Sequence, residues 1–153
     1  MKRQIARARA SGGTLWRMLD ANANRAREGL RVAEDVLRFV RGDSALSMKA
    51  RKLRHAVGRE AEALAPRTVL LAARDSAGDV GARQWRGGKA RRNAEGLLAA
   101  NLRRAQESAR VMEECARLLG KSAAIRRLQS LRYSIYDLES RANSGRHGRN
   151  PAW

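Results

Sequence analysis

An internal repeat limits the folds that this chain can adopt more than any other feature. Residues 21–35 return as residues 100–114, with the same residue types at matching positions. A second pair of segments, residues 53–57 and 131–135, matches in the same order further along the chain. Among the identical residues are Asn22, Arg25, Ala26, Glu28, Arg31, Val32 and Glu34 in the first copy and Asn101, Arg104, Ala105, Glu107, Arg110, Val111 and Glu113 in the second. A repeat of this length is a unit of architecture, and we predict that each copy contributes a pair of helices.

The spacing of apolar residues predicts four long helices. Apolar side chains recur every three or four residues, which is the period of an amphipathic helix. The predicted helices cover about residues 15–40, 45–64, 93–119 and 122–142. Gly42 and Gly120 are suited to helix ends, and either Asp43 or Ser44 is suited to cap the next helix. We predict an all-α fold, a pseudo-twofold bundle of two helix hairpins with a long central loop that contains Gly, Asp and Arg residues.

The chain is predicted to form one helical domain between two basic flexible tails. The segments are a tail at 1–13, a domain at 14–142 with repeats at about 14–66 and 93–142 joined by a loop at 67–92, and a tail at 143–153. A loop longer than ~15 residues inside a compact bundle is unusual and tends to be functional. Within this loop, the apolar residues 69–73 fit a short buried strand or a helical turn.

The formal net charge of +18 gives the protein a field that attracts polyanions. Most of the cations are arginines, so a solvated surface with a coding bias towards Arg explains this charge as well as a specific anion site does. No apolar segment approaches the ~20 residues of a membrane span. We expect a cytoplasmic protein without a membrane partner.

Few residues suit nucleophilic or metal chemistry. The single cysteine, Cys115, falls on the apolar face of its helix, and we expect a buried structural thiol. His147 lies in the predicted tail and His55 beside a core position, so a metal pair or a catalytic triad is not expected from them. Trp85, Phe39, Tyr133 and Tyr136 are candidates for stacking on a flat ring, but we expect the last three in the core.

The central loop carries two carboxylates beside an arginine, in the segment 74–81. Asp75 and Asp79 could hold Mg²⁺ while Arg74 reaches a phosphate oxygen. The same residues also suit an ordinary loop of Asx turns. Further along the loop, Gly87-Gly88-Lys89 lacks the other residues of a Walker motif.

The repeated helices carry polar residues on or beside their apolar faces. Asn22 and Asn101 fall in the middle of these faces, where they could bond each other or the backbone across the pseudo-twofold axis, or bind a ligand. Arg25 and Arg104 lie one turn on, at the edge of the face, where each could reach water or an anion. The Glu and Asp residues spaced three or four from an arginine are expected to form solvated ladders on the helix surface.

The order and spacing of several segments resemble one family, over about residues 15–140. The segments are residues 19–22 through 38–39, 53–55, 73–75 with 78–81, 100–101 through 113–114, and 132–133 to 138–139. They resemble the all-helical hydroxymethylpyrimidine-phosphate kinase of thiamin biosynthesis, a domain that also occurs fused to thiamin-phosphate synthase. The chain departs from the family's pattern after Gly81, where Ala82 replaces the usual Thr. The synthase half is absent from this sequence, so a stand-alone form is expected.

The resemblance implies a kinase that transfers the γ-phosphoryl group of ATP to hydroxymethylpyrimidine phosphate. It implies that Asp75 and Asp79 coordinate Mg²⁺ as cofactor and that Arg74 acts with them in catalysis. Substrate or nucleotide binding is assigned to Asn22, Arg25, Arg54, His55, Asn101 and Arg104. The expected partners are ATP and the pyrimidine phosphate, and a homodimer is left open.

A different class of function remains compatible with the residues. A basic helical module could bind nucleic acid, or act in a non-catalytic interaction, through its Arg-rich surfaces. No recognition helix, zinc site or aromatic platform is evident in the sequence, so nucleic acid is not expected as a partner. A decayed enzyme is the third alternative, because residues 82–92 are unusual for the family.

Overall fold

Five α-helices and one π-helical turn make up the computed structural model, which describes residues 2–81 and 90–144, with backbone alone for 2–12. The elements are α1 at Lys2–Asp35, the π-turn at Val36–Val40, α2 at Ser44–Leu64, α3 at Arg67–Ala72, α4 at Ala94–Leu118 and α5 at Ser122–Ser144. No strand occurs within these residues. The predicted all-α fold is confirmed.

Local signals set the helix ends where the sequence predicted them. Gly42 and Gly120 adopt φ values of 63° and 64°, a left-handed conformation that glycine adopts without a steric penalty. The side chain of Asp43 caps α2 by accepting a hydrogen bond from the Leu46 backbone nitrogen at 2.9 Å. Asn93 caps α4 in the same way, at 2.8 Å from the nitrogen of Gly96.

The two hairpins, α1 with α2 and α4 with α5, pack against each other mainly through α1 and α4. Where Gly29 faces α4, a Cβ built on it would lie 2.6 Å from the backbone oxygen of Asn101. Glycine is therefore required at this crossing. Small residues line much of the remaining contact, among them the buried Ala26, Ala33 and Ala105.

Two helix bounds differ from the prediction, and one open alternative is decided in favour of a helix. The helix predicted to start at Leu15 begins at Lys2, and the last helix continues to Ser144. The segment 69–73, left as strand or helical turn, lies mostly within the short helix α3. The division into a domain and two flexible tails stays a prediction, and residues 82–89 and 145–153, including the Gly87-Gly88-Lys89 segment and His147, lie outside the described residues.

The prediction that the aromatic rings lie in the core is wrong. Phe39, Tyr133 and Tyr136 are all exposed. The guanidinium carbon of Arg38 lies 4.8 Å from the centre of the Phe39 ring. That of Arg132 lies 5.2 Å from the centre of the Tyr133 ring and 5.6 Å from that of Tyr136. The rings thus face cations at the surface, and aliphatic side chains fill the core.

Candidate active site

A buried glutamate of the first repeat joins the two helices of its hairpin. Glu34 is 5% exposed and accepts a hydrogen bond from Nε of Arg54 at 3.0 Å. Arg31 lies beside the same carboxylate, with 3.6 Å between its Nη1 and Oε1 of Glu34. Sequence spacing suggested a surface ladder for Glu34, but its partner comes from α2, which covers it.

The second repeat builds the same junction with Glu113. This side chain is fully buried and accepts hydrogen bonds from Nε of Arg132 at 3.2 Å, Nη2 of Arg117 at 2.5 Å and Nη1 of Arg110 at 3.2 Å. Burial raises the pKa of the Glu113 carboxyl, but the hydrogen bonds from Arg117 and Arg132 and the nearby positive charges outweigh it, so its pKa is lowered. These repeated residues hold the hairpins together.

The repeated asparagines bond within their own helices. Nδ2 of Asn22 donates to the backbone oxygen of Met18 at 2.9 Å. Nδ2 of Asn101 donates to that of Leu97 at 2.8 Å. Each amide nitrogen therefore donates to the backbone oxygen four residues earlier in its own helix. The Nδ2 atoms do not form the bonds across the pseudo-twofold axis that were one of the expectations.

A cleft of about 250 Å³ opens between α1, α2 and α3. Six of its eleven lining residues are polar or charged. The residues that line it are Asp20, Ala23, Asn24, Arg27, Gly58, Ala61, Glu62, Arg67, Leu70, Leu71 and Arg74. All of these belong to the first repeat or to the start of the central segment, so the cleft makes the two repeats unequal.

A two-point ion pair ties the start of the central loop to α1 at this cleft. Nε of Arg74 lies 2.6 Å from Oδ2 of Asp20, and Nη2 lies 3.0 Å from Oδ1. Asp20 is buried, and it also accepts a hydrogen bond from Asn24 at 3.3 Å. The hydrogen bond to Asp20 raises the pKa of Arg74. Asp20 therefore fixes the direction of a guanidinium that is half exposed.

Directly after Arg74, the two loop aspartates form Asx turns. Oδ1 of Asp75 accepts a hydrogen bond from the nitrogen of Gly78 at 2.8 Å, and Oδ1 of Asp79 accepts one from that of Gly81 at 2.9 Å. The loop is anchored to α1 because Nη2 of Arg17 donates to the backbone oxygen of Asp75 at 2.7 Å. A Cβ on Gly78 would lie 2.2 Å from Oδ2 of Asp75, so a larger residue there would displace the Asp75 carboxylate from its position in the turn.

The loop keeps carboxylate oxygens that a cation could use. Within residues 2–81 and 90–144, no group of three or more His, Cys, Asp or Glu side chains is placed to hold a metal ion. Oδ2 of Asp79 has no hydrogen-bond partner in that part of the chain. A pair of carboxylates is the usual protein contribution to a Mg²⁺ site that substrate phosphates complete. Asp75 and Asp79 thus supply the kind of oxygen ligands that Mg²⁺ takes together with a phosphate, but Oδ2 of Asp75 would have to give up its ion pair with Nη1 of Arg17 at 3.5 Å.

The structure brings few of the predicted site residues to the cleft. Of the nine, all within the described ranges, Arg74 is the one that lines it. Arg25, His55 and Arg104 are exposed on α1, α2 and α4. Arg54 is held by Glu34, as described above. Their roles in binding stay predictions.

Several polar residues of the cleft were not singled out from the sequence. Asn24 and Arg27 follow Asp20 at spacings of four and seven, which places all three on one side of α1. Glu62 and Arg67 complete the lining from α2 and α3. The spacing on α1 is a usable signal in the sequence, although these positions are not part of the repeated pattern.

Cys115 is fully buried, as predicted, and burial raises the pKa of its thiol to about 11. A thiol with this pKa is a poor nucleophile at neutral pH. In residues 2–81 and 90–144, no helix is both long enough and apolar enough to cross a membrane.

Comparison with known proteins identifies the family. The model of the ThiD2 family matches residues 17–141. The chain is 41% identical over 134 residues to a thiamine-phosphate synthase of Synechocystis sp., covering 86% of this chain and 37% of that protein. It is 40% identical over 131 residues to a thiamine-phosphate synthase of Thermosynechococcus vestitus, covering 85% and 36%.

A more distant relative, a thiamine-phosphate synthase of Rhodopirellula baltica, is 35% identical over 128 residues, covering 83% of this chain and 34% of that protein. The chain thus spans about a third of the length of these relatives. No solved structure matches it. The match to the family model confirms the resemblance drawn from the motifs: the chain belongs to the ThiD2 family.

Proposed function

We propose that this protein acts in thiamin biosynthesis as the kinase that converts hydroxymethylpyrimidine phosphate to its diphosphate with ATP. Family membership supports the pathway, because the matched relatives are named thiamine-phosphate synthases. One structural observation carries the reaction type. The arginine-lined cleft opens beside a loop with two carboxylates, joined to it through Arg74.

The reaction requires little from the protein besides positioning. The second pKa of a phosphate monoester is about 6, so the acceptor oxygen is already an anionic nucleophile at pH 7. That oxygen forms a bond to the γ-phosphorus of ATP while the bond to the β-phosphate oxygen breaks and ADP leaves. No general base is needed, and among the described residues neither a histidine nor the buried Cys115 lines the cleft.

Two polyanions must approach each other in this reaction, so their charge must be neutralised. Arg74, held by Asp20, presents one cation at the cleft, and Arg27 and Arg67 add two more. Asp75 and Asp79 would hold Mg²⁺, which when bound with phosphate oxygens neutralises further charge. The arrangement of three guanidinium groups beside two carboxylates suits phosphoryl transfer between phosphates.

The proposal is tested by measuring ADP release from ATP and Mg²⁺ in a coupled assay, with hydroxymethylpyrimidine phosphate or the unphosphorylated alcohol as acceptor. We expect turnover with the phosphate and little with the alcohol, since only the phosphate supplies an anionic nucleophile. Absence of turnover with both acceptors, from protein with a helical circular dichroism spectrum, would reject the kinase. Salt-sensitive binding to DNA in that case would favour the basic binding module.

A further inference from the structure

We propose that the cleft between α1, α2 and α3 binds a small phosphate monoester through the guanidinium of Arg27. The identification of this ligand as the acceptor phosphate rests on the proposed kinase function. The binding of a phosphate group by itself does not depend on that function.

Arg27 lies in the cleft without a protein acceptor. Its side chain is half-buried, and no hydrogen bond or ion pair joins it to any residue in the described parts of the chain. Its Nε lies 3.9 Å from the position that a Cβ would take on Gly58. A guanidinium that has given up part of its hydration normally gains a charged or carbonyl acceptor in return. Here that acceptor can come from a ligand.

In the second repeat, the residue at the position of Arg27 has a carboxylate acceptor. Gln106 occupies the position on α4 that Arg27 occupies on α1, and its Nε2 donates to Oε2 of Glu139 at 2.6 Å. The residue of α2 that matches Glu139 is Ala61, which is buried and lines the cleft. The first repeat therefore combines a stronger donor with the loss of the carboxylate that would satisfy it. An anion can take the place of that carboxylate.

The charge and size of the cleft select the class of anion. Asp20 is already engaged by Arg74, which leaves Arg27 and Arg67 against Glu62. The volume of about 250 Å³ lies below the ~300–1,000 Å³ of pockets that enclose drug-sized ligands. A single phosphate with a small ring suits this space, whereas ATP is too large to be enclosed. We therefore place the acceptor phosphate, and not the nucleotide, on Arg27.

Isothermal titration calorimetry of the whole chain tests this inference. The probes are inorganic phosphate and hydroxymethylpyrimidine phosphate, titrated separately without nucleotide in a phosphate-free buffer at 150 mM NaCl. Arg27→Gln copies the residue of the second repeat, and Ala61→Glu supplies an internal carboxylate for Arg27. Arg103→Gln is the control for net charge, because Arg103 is exposed on α4 and does not line the cleft.

We expect Arg27→Gln and Ala61→Glu each to weaken binding of both probes at least tenfold, and Arg103→Gln to leave it within about twofold, since one charge-assisted hydrogen bond is worth that much discrimination. Wild-type affinity in Arg27→Gln would overturn the inference, even if Ala61→Glu does not fold. An equal loss in Arg103→Gln would also overturn it, since binding would then follow overall charge. Phosphate binding that depends on Arg27 without kinase turnover would reject only the proposed function. Full turnover with a normal KM for the acceptor in Arg27→Gln would reject only this inference.

Discussion

Arg54 on α2 donates a hydrogen bond from its Nε to Oε2 of the buried Glu34 on α1, at 3.0 Å. Arg132 and Glu113 repeat this contact between α5 and α4. Part of the residue pattern that recurs in the sequence is therefore explained by hairpin assembly. The residues that distinguish the cleft lie elsewhere and are not repeated.

Removal of the charge at Glu113 is expected to destabilise the protein strongly. Glu113→Gln leaves Arg110, Arg117 and Arg132 without their shared carboxylate, and breaking a buried ion pair costs about 3–5 kcal/mol. Urea unfolding followed by circular dichroism measures the loss. The control is Glu114→Gln, at a side chain 43% exposed, which should cost less than ~1 kcal/mol. Equal effects of the two substitutions would show that burial of Glu113 contributes nothing.

The lowered pKa of Glu113 gives this contribution a defined pH dependence. Because the pKa of the folded state lies below that of the unfolded state, the stabilisation is fully present above the unfolded value of about 4.3 and is lost as the pH falls through the folded value. We expect the difference in unfolding free energy between wild type and Glu113→Gln to shrink below about pH 4. A difference that stays constant from pH 7 to pH 3 would contradict the lowered pKa.

Gly29→Ala is expected to destabilise the bundle although alanine is the better helix former. The new Cβ would lie 2.6 Å from the Asn101 backbone oxygen, so α1 and α4 must move apart, at a cost of about 1–3 kcal/mol. Gly13→Ala is the matched control, since nothing lies within 4 Å of its Cβ position and helix propensity alone predicts a gain of about 0.5–1 kcal/mol. Thermal unfolding that ranks Gly29→Ala above wild type would show that the helices do not cross this closely.

Cys115 should resist thiol reagents in the folded protein. With burial raising its pKa to about 11, roughly 0.1% of the thiol is ionised at pH 8, against about a quarter for an ordinary cysteine. A chromogenic disulfide reagent at pH 8 should therefore react slowly with the native protein. It should react rapidly with protein unfolded in about 8 M urea. Rapid stoichiometric reaction of the native protein would contradict the burial of this side chain.

Asp79→Asn is expected to lower kinase turnover at least tenfold with the helical content unchanged, because a carboxylate oxygen without a protein partner is lost from the proposed Mg²⁺ site. Asp137→Asn is the control, since this carboxylate is exposed on α5 and pairs with Lys49 and Arg141. Turnover near that of wild type in Asp79→Asn would remove this residue from the site.

The sequence predicts the long helices well because their signals are local. Gly42, Asp43 and Gly120 end or begin helices through their own backbone and side-chain chemistry. The burial of Glu34 was not predictable from its helix alone, since its spacing to Arg38 suits a surface ladder as well. Its true partner, Arg54, comes from another helix.

In the candidate site, too, residues with local signals could be predicted and residues that depend on another helix could not. Arg74, Asp75 and Asp79 were found because turn residues surround them in the sequence. Arg27 was missed, because its significance depends on Ala61, a small and chemically silent residue on the facing helix. The carboxylate that Glu139 provides in the second repeat is missing from the first, and a missing carboxylate produces no sequence motif.

The π-turn lies where the two repeats differ in length by one residue. Glu34 and Arg54 are 20 positions apart, whereas Glu113 and Arg132 are 19 apart. The extra residue falls at the end of α1, where Val36–Val40 winds more widely, and a π-turn accommodates one inserted residue without changing the register of the flanking helix. The π-turn thus accommodates the one residue by which the first repeat is longer than the second. Deleting one residue there should restore an ordinary α-helical end and give the first repeat the 19-residue spacing of the second.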